Sequence, residues 1–236
     1  MTDRSSAAAD RARADPAPAR PRRPRRTSTQ SREKIMRAAT SEFAKHGFAG
    51  ARINRIVKNA RTNPRMIYHY FGSKSGLYVA VLETALGGLR AEELRLSVGH
   101  LDPLDGLLQL FDFMNGHFER SRHLVNLLRG ENMLKARFMR ESARIREMSS
   151  PVLAMIERLL QRGIASGQFP QGLDALRLYV LMVALSQFHL SNGHTLSIIF
   201  DRDLSDATWR RERAADARRM LASFLEASTS NALVSL

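Results

Sequence analysis

Residues 32–83 read REKIMRAATSEFAKHGFAGARINRIVKNARTNPRMIYHYFGSKSGLYVAVLE, and the spacing of apolar residues in this stretch decides the fold. Ile35, Ala39 and Phe43 recur at i, i+4 and i+8, with Met36 and Ala38 widening the stripe, which is the period of an amphipathic helix. A capping box over residues 27–30, with Ser28 and Thr29 as competing caps, predicts a start near residue 29. Lys45 and His46 suit a last turn, and Gly47 followed by Phe48 suits a left-handed stop, so the first helix is expected over residues 29–46. Ile53, Ile56, Val57 and Ala60 then predict a helix of two turns, broken by Arg61 and Thr62. Asn63 is a good N-cap, and Pro64 stands where its missing N–H costs nothing. The third helix, Pro64–Phe71, is expected to bury Ile67 with Tyr70 or Phe71 and to turn Arg65, Met66, Tyr68 and His69 outward. Gly72 ends it, Ser73 caps a fourth helix, and Leu77, Val81 and Leu82 begin the next stripe.

Two short helices joined by a tight turn and braced by their neighbours describe a helix-turn-helix. The charge supports that reading. The formal net charge is +14, and it is unevenly placed: residues 31–85 hold ten Lys/Arg against three Glu, whereas residues 86–236 hold nineteen basic against seventeen acidic side chains. A basic block joined to a nearly neutral body predicts one module facing a polyanion and another with a different task. On the third helix, Arg can chelate guanine O6 and N7, Met can pack on a thymine methyl, and Tyr, His and Lys can reach phosphates.

Residues 1–30 add eight Arg against three Asp, in a segment with three prolines inside PARPRRPRR that forbid a helix there. This basic arm reads either as arginines laid along phosphates or a minor groove, or as a solubilising tail. The chain has no cysteine, which excludes disulfides, thiolate zinc sites and a Cys nucleophile. Its longest clean apolar run, LYVLMVAL (178–185), is far short of the roughly 20 residues that span a bilayer. With no apolar segment behind the N-terminal arginines, a soluble cytoplasmic protein is expected, with no membrane association.

The same residues resemble the tetracycline-repressor (TetR) family. The likeness covers residues 32–83 almost without a gap, and its diagnostic parts are the first helix through Gly47-Phe48 and the closing IYHYFGSKSGLYVAV. The resemblance implies an all-α protein: a three-helix helix-turn-helix head followed by a larger helical body that binds ligand and forms the dimer. The corresponding domains are a disordered arm at 1–28, a DNA-binding head at 29–75 and the body at 76–236. It also implies that Pro64, Arg65 and Met66 face bases, with Asn63 opening that helix. Tyr68, His69 and Lys74 would grip phosphate, and Arg52 and Asn54 at the start of the second helix would add phosphate or base contacts. Two departures stand out. Arg61-Thr62-Asn63 replaces the usual Gly-Val-Ser, so a residue with a Cβ must take the turn, and Arg52 replaces the usual Thr/Ser cap.

The body is expected as helices near residues 103–120, 121–130, 133–167, 173–194 and 206–227, with a kink or break near Pro151. The last two are the candidates for a homodimer interface, because LRLYVLMVALSQFHL is apolar nearly all round and residues 210–226 carry Ala214, Ala217, Met220, Leu221 and Phe224. Aromatic residues beside isolated polar groups nominate a pocket for an unidentified small-molecule effector: Phe111, Met114, His117, Phe118, Asn126, Asn132, Met133, Phe138, Phe188, His189 and Asn192. No cofactor is implied. His117, His123, His189 and His194 fit no familiar ligand spacing, so no metal site is expected.

The function expected is a dimeric repressor that reads a pseudo-palindromic operator in double-stranded DNA and responds to a small molecule. The alternative is a sequence-indifferent architectural or RNA-binding protein driven by the basic arm. No nucleophile elbow, P-loop, HExxH or dinucleotide fingerprint is present, so an enzyme is not expected.

Overall fold

The computed structural model describes residues 26–148 and 150–226, and every regular element among them is helical. Of the disordered arm expected over residues 1–28, residues 1–25 lie outside them, and residues 26–28 are instead helical, in the first turn of the first helix. The head comprises α1 (Arg26–Gly50), α2 (Ile53–Ala60) and α3 (Pro64–Phe71). Helix α4 (Lys74–Arg95) leads into a body of α5 (Pro103–Arg120), α6 (Arg122–Met133), α7 (Ala143–Glu147), α8 (Ser150–Ala165), α9 (Ala175–Ile199) and α10 (Ala207–Glu226).

The apolar stripe of α1 is fully buried at Ile35, Ala39 and Phe43, against Ile56 of α2, Ile67 of α3 and Leu77, Tyr78 and Val81 of α4. Each such large side chain contributes roughly 1.5–3 kcal/mol when taken from water, so this one seam orients all three head helices. Helix α1 starts at Arg26, and Ser28 and Thr29 therefore lie inside it and do not cap it. The stop falls where the sequence placed it: Gly47 has φ 63 and ψ 179, a conformation for glycine alone, and Phe48 beyond it stacks on Phe43.

The expected helix over residues 133–167 is not continuous. Helix α6 ends at Met133, Lys135 and Ala136 take positive φ (55° and 56°), and the chain re-enters through α7 before α8 begins beside Pro151. Glu131 provides the physical reason. Its buried Oε2 accepts the Phe138 and Met139 backbone N–H groups at 3.2 and 3.1 Å, satisfying donors that a helix would otherwise pair. That turn drives Phe138 into the core between Phe48 and Tyr78.

In the body, α5 packs against α8, α9 and α10. Asp102 caps α5 by accepting the Leu104 N–H at 3.0 Å, and Asp174 and Asp206 do the same for α9 and α10. Helix α9 runs on to Ile199, past the stop expected at His194. Gly163 is helical within α8, and a Cβ there would lie 2.1 Å from the ring of Phe169, which folds back over it. Arg90 donates to Glu93 and to the Tyr179 hydroxyl at 2.5 and 2.6 Å, tying α4 to α9. No helix among the described residues is long and apolar enough to cross a membrane.

Candidate nucleic-acid interface and body cavity

Helix α3 seals Ile67 into the head core and leaves Arg65, Tyr68 and His69 exposed. Pro64 is exposed at its first position, and the Asn63 side chain accepts the Met66 N–H at 3.2 Å, so its carbonyl oxygen is occupied in starting the helix. Met66, expected outward, is half-buried on the edge of the core. The Tyr70 hydroxyl donates to the Ser28 carbonyl at 3.2 Å and pins the inner side of α3 to α1.

The turn before α3 carries the departure seen in the sequence. Arg61 has φ 51 and ψ 50, the left-handed conformation that a Cβ disfavours. Helix α2 lacks a side-chain cap of its own, and Glu42 of α1 compensates. Its buried Oε1 accepts the Arg52 N–H at 2.9 Å and Arg55 Nε at 2.7 Å. Burial alone would push the Glu42 carboxyl up, but the Arg55 guanidinium and the Arg52 amide outweigh it and hold the group below the ordinary 4.5. The carboxylate thus fixes α2 against α1 while Arg52 and Asn54 keep their side chains exposed.

Lys74 is placed differently from an extended phosphate contact. Its Nζ sits 4.8 Å over the Phe48 ring, and burial lowers its pKa while the Glu42 charge opposes that. Sequence reasoning passed over Lys34 and Arg37, which with Arg61 and Asn59 line a concavity of about 460 Å³ between α1 and the end of α2. Their positions on the outer side of α1 were visible in the helical period.

The nominated effector residues do not converge. Phe111, Met114 and Phe118 are buried core of α5, and His117 beside them shares a hydrogen bond with Glu92 at 3.1 Å. Asn126, Asn132 and Met133 are exposed along α6, and Phe138 is part of the joint with the head. Asn192 is half-buried and donates to the Phe188 carbonyl. Only Phe188 and His189 line the main body cavity, about 480 Å³ between α9, α10 and residues 200–206. Leu181, Leu185, Leu204, Trp209 and Arg213 are among its other walls. No sequence signal brings Leu204, Trp209 and Arg213 together with α9, because these segments meet only in the fold.

The exposed apolar side chains of the body cluster on the last two helices: Leu176, Val180, Leu181 and Phe188 on α9, Met220 and Phe224 on α10. The stripe expected on α10 divides, with Ala217, Leu221 and Leu225 facing the core and Met220 and Phe224 facing out.

Two family models match the chain: "Bacterial regulatory proteins, tetR family" over residues 35–81 and "Tetracyclin repressor-like, C-terminal domain" over residues 103–221. The transcriptional repressor NicS of Pseudomonas putida is 33% identical over 177 residues, which is 75% of this chain and 84% of that protein. Among solved structures, the Streptomyces coelicolor regulator SCO4942 superposes with a TM-score of 0.63 at 23% identity, covering 83% of this chain and 98% of the other. FadR of Bacillus subtilis, solved with stearoyl-CoA, superposes with a TM-score of 0.60 at 16% identity, over 82% and 99% of the two chains.

Proposed function

The chain belongs to the tetracycline-repressor family of DNA-binding bacterial transcriptional regulators, and from that premise we propose a cytoplasmic homodimer that represses by gripping an inverted-repeat operator and lets go when a small molecule enters the body. The observation that carries the reading is the outer face of α3, where Arg65, Tyr68 and His69 stand exposed on a helix held by the Asn63 cap and the Ile67 anchor. Arg65 reads a base from the first turn of the helix, while Tyr68, His69, Lys74, Arg52 and Asn54 hold the backbone on either side. Lys74 leaves the Phe48 ring to do so. Pro64 and Met66 supply apolar contact, Met66 through its exposed part.

A division into arm, head and body goes with this reading, with the head opening at Arg26, where α1 begins, three residues before the expected boundary at residue 29. Dimerisation supports it in a second way. A face bearing Leu176, Val180, Leu181, Phe188, Met220 and Phe224 exposes more apolar surface than a monomer tolerates, and a second copy covers it. Two heads related by a twofold axis then meet half-sites about one helical turn apart, ~34–36 Å, or slightly more. A regulator of this build needs no catalytic centre, and the relatives that match are named as regulators. The architectural alternative finds no support among them.

The test is selection of fragmented genomic DNA by the purified protein at near-physiological salt, followed by sequencing. Recovery of a few fragments sharing an inverted repeat is expected. Unselective recovery that disappears as salt rises contradicts the reading.

A further inference from the structure

His189 is a buried polar group without a partner. It is 6% exposed, and neither ring nitrogen has a hydrogen bond. The nearest acid is Glu119 of α5, 3.9 Å away, beyond hydrogen-bonding distance. Leaving buried donors and acceptors unmade is costly, so this imidazole needs a partner that the fold itself does not supply.

The surroundings say what that is. The ring faces the cavity walled by Leu185, Phe188, Leu204 and Trp209 on one side, and a second cavity of about 300 Å³ reaching Arg122 on the other. Arg213 lines the first cavity and donates to Asn115 at 3.0 Å, whereas Arg210, one turn before it, lines a separate cavity with Glu119. Burial and the charges of Arg213, Arg122 and Arg210 keep the imidazole neutral, down to about 4, so it offers one donor and one acceptor at any physiological pH. The second acid of the region, Asp203, is already engaged by the N–H and hydroxyl of Ser205. Arg213 and an unpaired imidazole in an apolar cleft, with Arg122 in the cavity that adjoins it at His189, form a receptor for a molecule with an anionic head and an apolar body.

We infer that the cleft between α9, α10 and residues 200–206 binds a small organic carboxylate, its anionic head held beside His189 by Arg213 and by Arg122 of the adjoining cavity, its body against Leu204 and Trp209, and a hydrogen bond completed by His189. The site lies along the C-terminal half of α9, and Leu181 and Phe188 of its wall also belong to the outward apolar face of that helix. The outward apolar residues of α10, Met220 and Phe224, lie toward the opposite end of that helix from Trp209 and Arg213. Only the effect of the ligand on operator binding rests on the repressor reading above; binding itself does not.

Trp209 is the single tryptophan of the chain, so its fluorescence reports on this wall alone. The full-length protein is titrated with benzoate and cyclohexanecarboxylate, and with benzamide and cyclohexanecarboxamide as uncharged counterparts. A saturable change with the acids, at least tenfold weaker with the amides, is expected. Arg122→Met and His189→Leu each weaken the acids tenfold or more. His189→Leu also raises the thermal midpoint, because it removes an unpaired polar group from the interior, whereas a histidine that merely supports the fold would lower it. Three results overturn the inference: no saturable response to either acid, acids and amides equal, or a signal that follows protein concentration alone, which assigns the cleft to the second copy. Operator binding measured on the same ligand-free sample separates the two claims. Its loss defeats the repressor reading and leaves the carboxylate site standing, and its presence beside a silent Trp209 defeats the site alone.

Discussion

The rings of Phe48 and Phe138 lie 4.1 Å apart at their centroids, and through this pair the head touches the segment that leaves α6. The opposite end of α6 carries Arg122, on the wall of the second cavity beside His189. Twelve helical residues, ~18 Å, therefore connect a body cavity to the joint beneath the head helices. A ligand that holds Arg122 draws on a rigid rod whose far end bears, through Glu131 and the turn it organises, on the back of α1. Such a ligand shifts the balance between head positions by as much as it prefers one of them.

Phe138 carries that joint, so Phe138→Ala costs about 3–5 kcal/mol, in line with the loss of a large buried aromatic. Urea unfolding checks it. A cost below about 1 kcal/mol would mean the ring is not load-sharing between head and body. Phe138→Leu, which keeps most of the volume, retains operator binding and weakens the response of operator binding to ligand.

Glu42 makes the head pH-dependent. Its folded pKa lies below the ordinary 4.5, so its contribution is complete above that value and is lost as pH falls through the folded value. Stability measured by urea from pH 7 down to pH 3 declines across the acid limb, and Glu42→Gln flattens that part of the curve while lowering stability at pH 7. An unchanged acid limb in the variant counts against the clamp.

Arg61 holds a left-handed turn that glycine adopts without strain. Arg61→Gly raises stability by about 1 kcal/mol through relief of that strain. The urea midpoint reads it directly, and a clear fall in stability would show that the arginine side chain contributes more than its backbone costs.

Much of the head was legible because its signals are local. Ile35, Ala39 and Phe43 recur on one face, Gly47 stops the helix, and Asn63-Pro64 starts the next one, each through residues only a few positions apart. The clamp from Glu42 to Arg52 and Arg55 spans ten to thirteen positions and carries no periodic mark. In the body, residues 133–148 have a helical composition, yet the Glu131 carboxylate captures two amides and folds them into a turn. The cavity was still less visible. Arg122, His189, Trp209 and Arg213 come from three helices, and aromatic content alone could not separate core residues such as Phe111 from wall residues such as Phe188. The stripe on α10 was found but not its partition, since Met220 and Leu221 are neighbours on opposite sides of the core boundary.

Lys74 and Arg65 are proposed to make different kinds of DNA contact. Lys74→Ala weakens binding to all sequences alike and flattens the dependence of log affinity on log salt by about one unit per site. A loss confined to one operator base pair would remove Lys74 from the phosphate set.

The most direct measurement is the affinity of the wild type and of Arg65→Ala for the selected operator and for its single base-pair variants, at fixed salt. The wild type is expected to discriminate at one position per half-site, with Arg65→Ala losing about 1–3 kcal/mol on the operator and nearly all discrimination there. An equal loss on every sequence, with discrimination intact, would contradict base reading by α3.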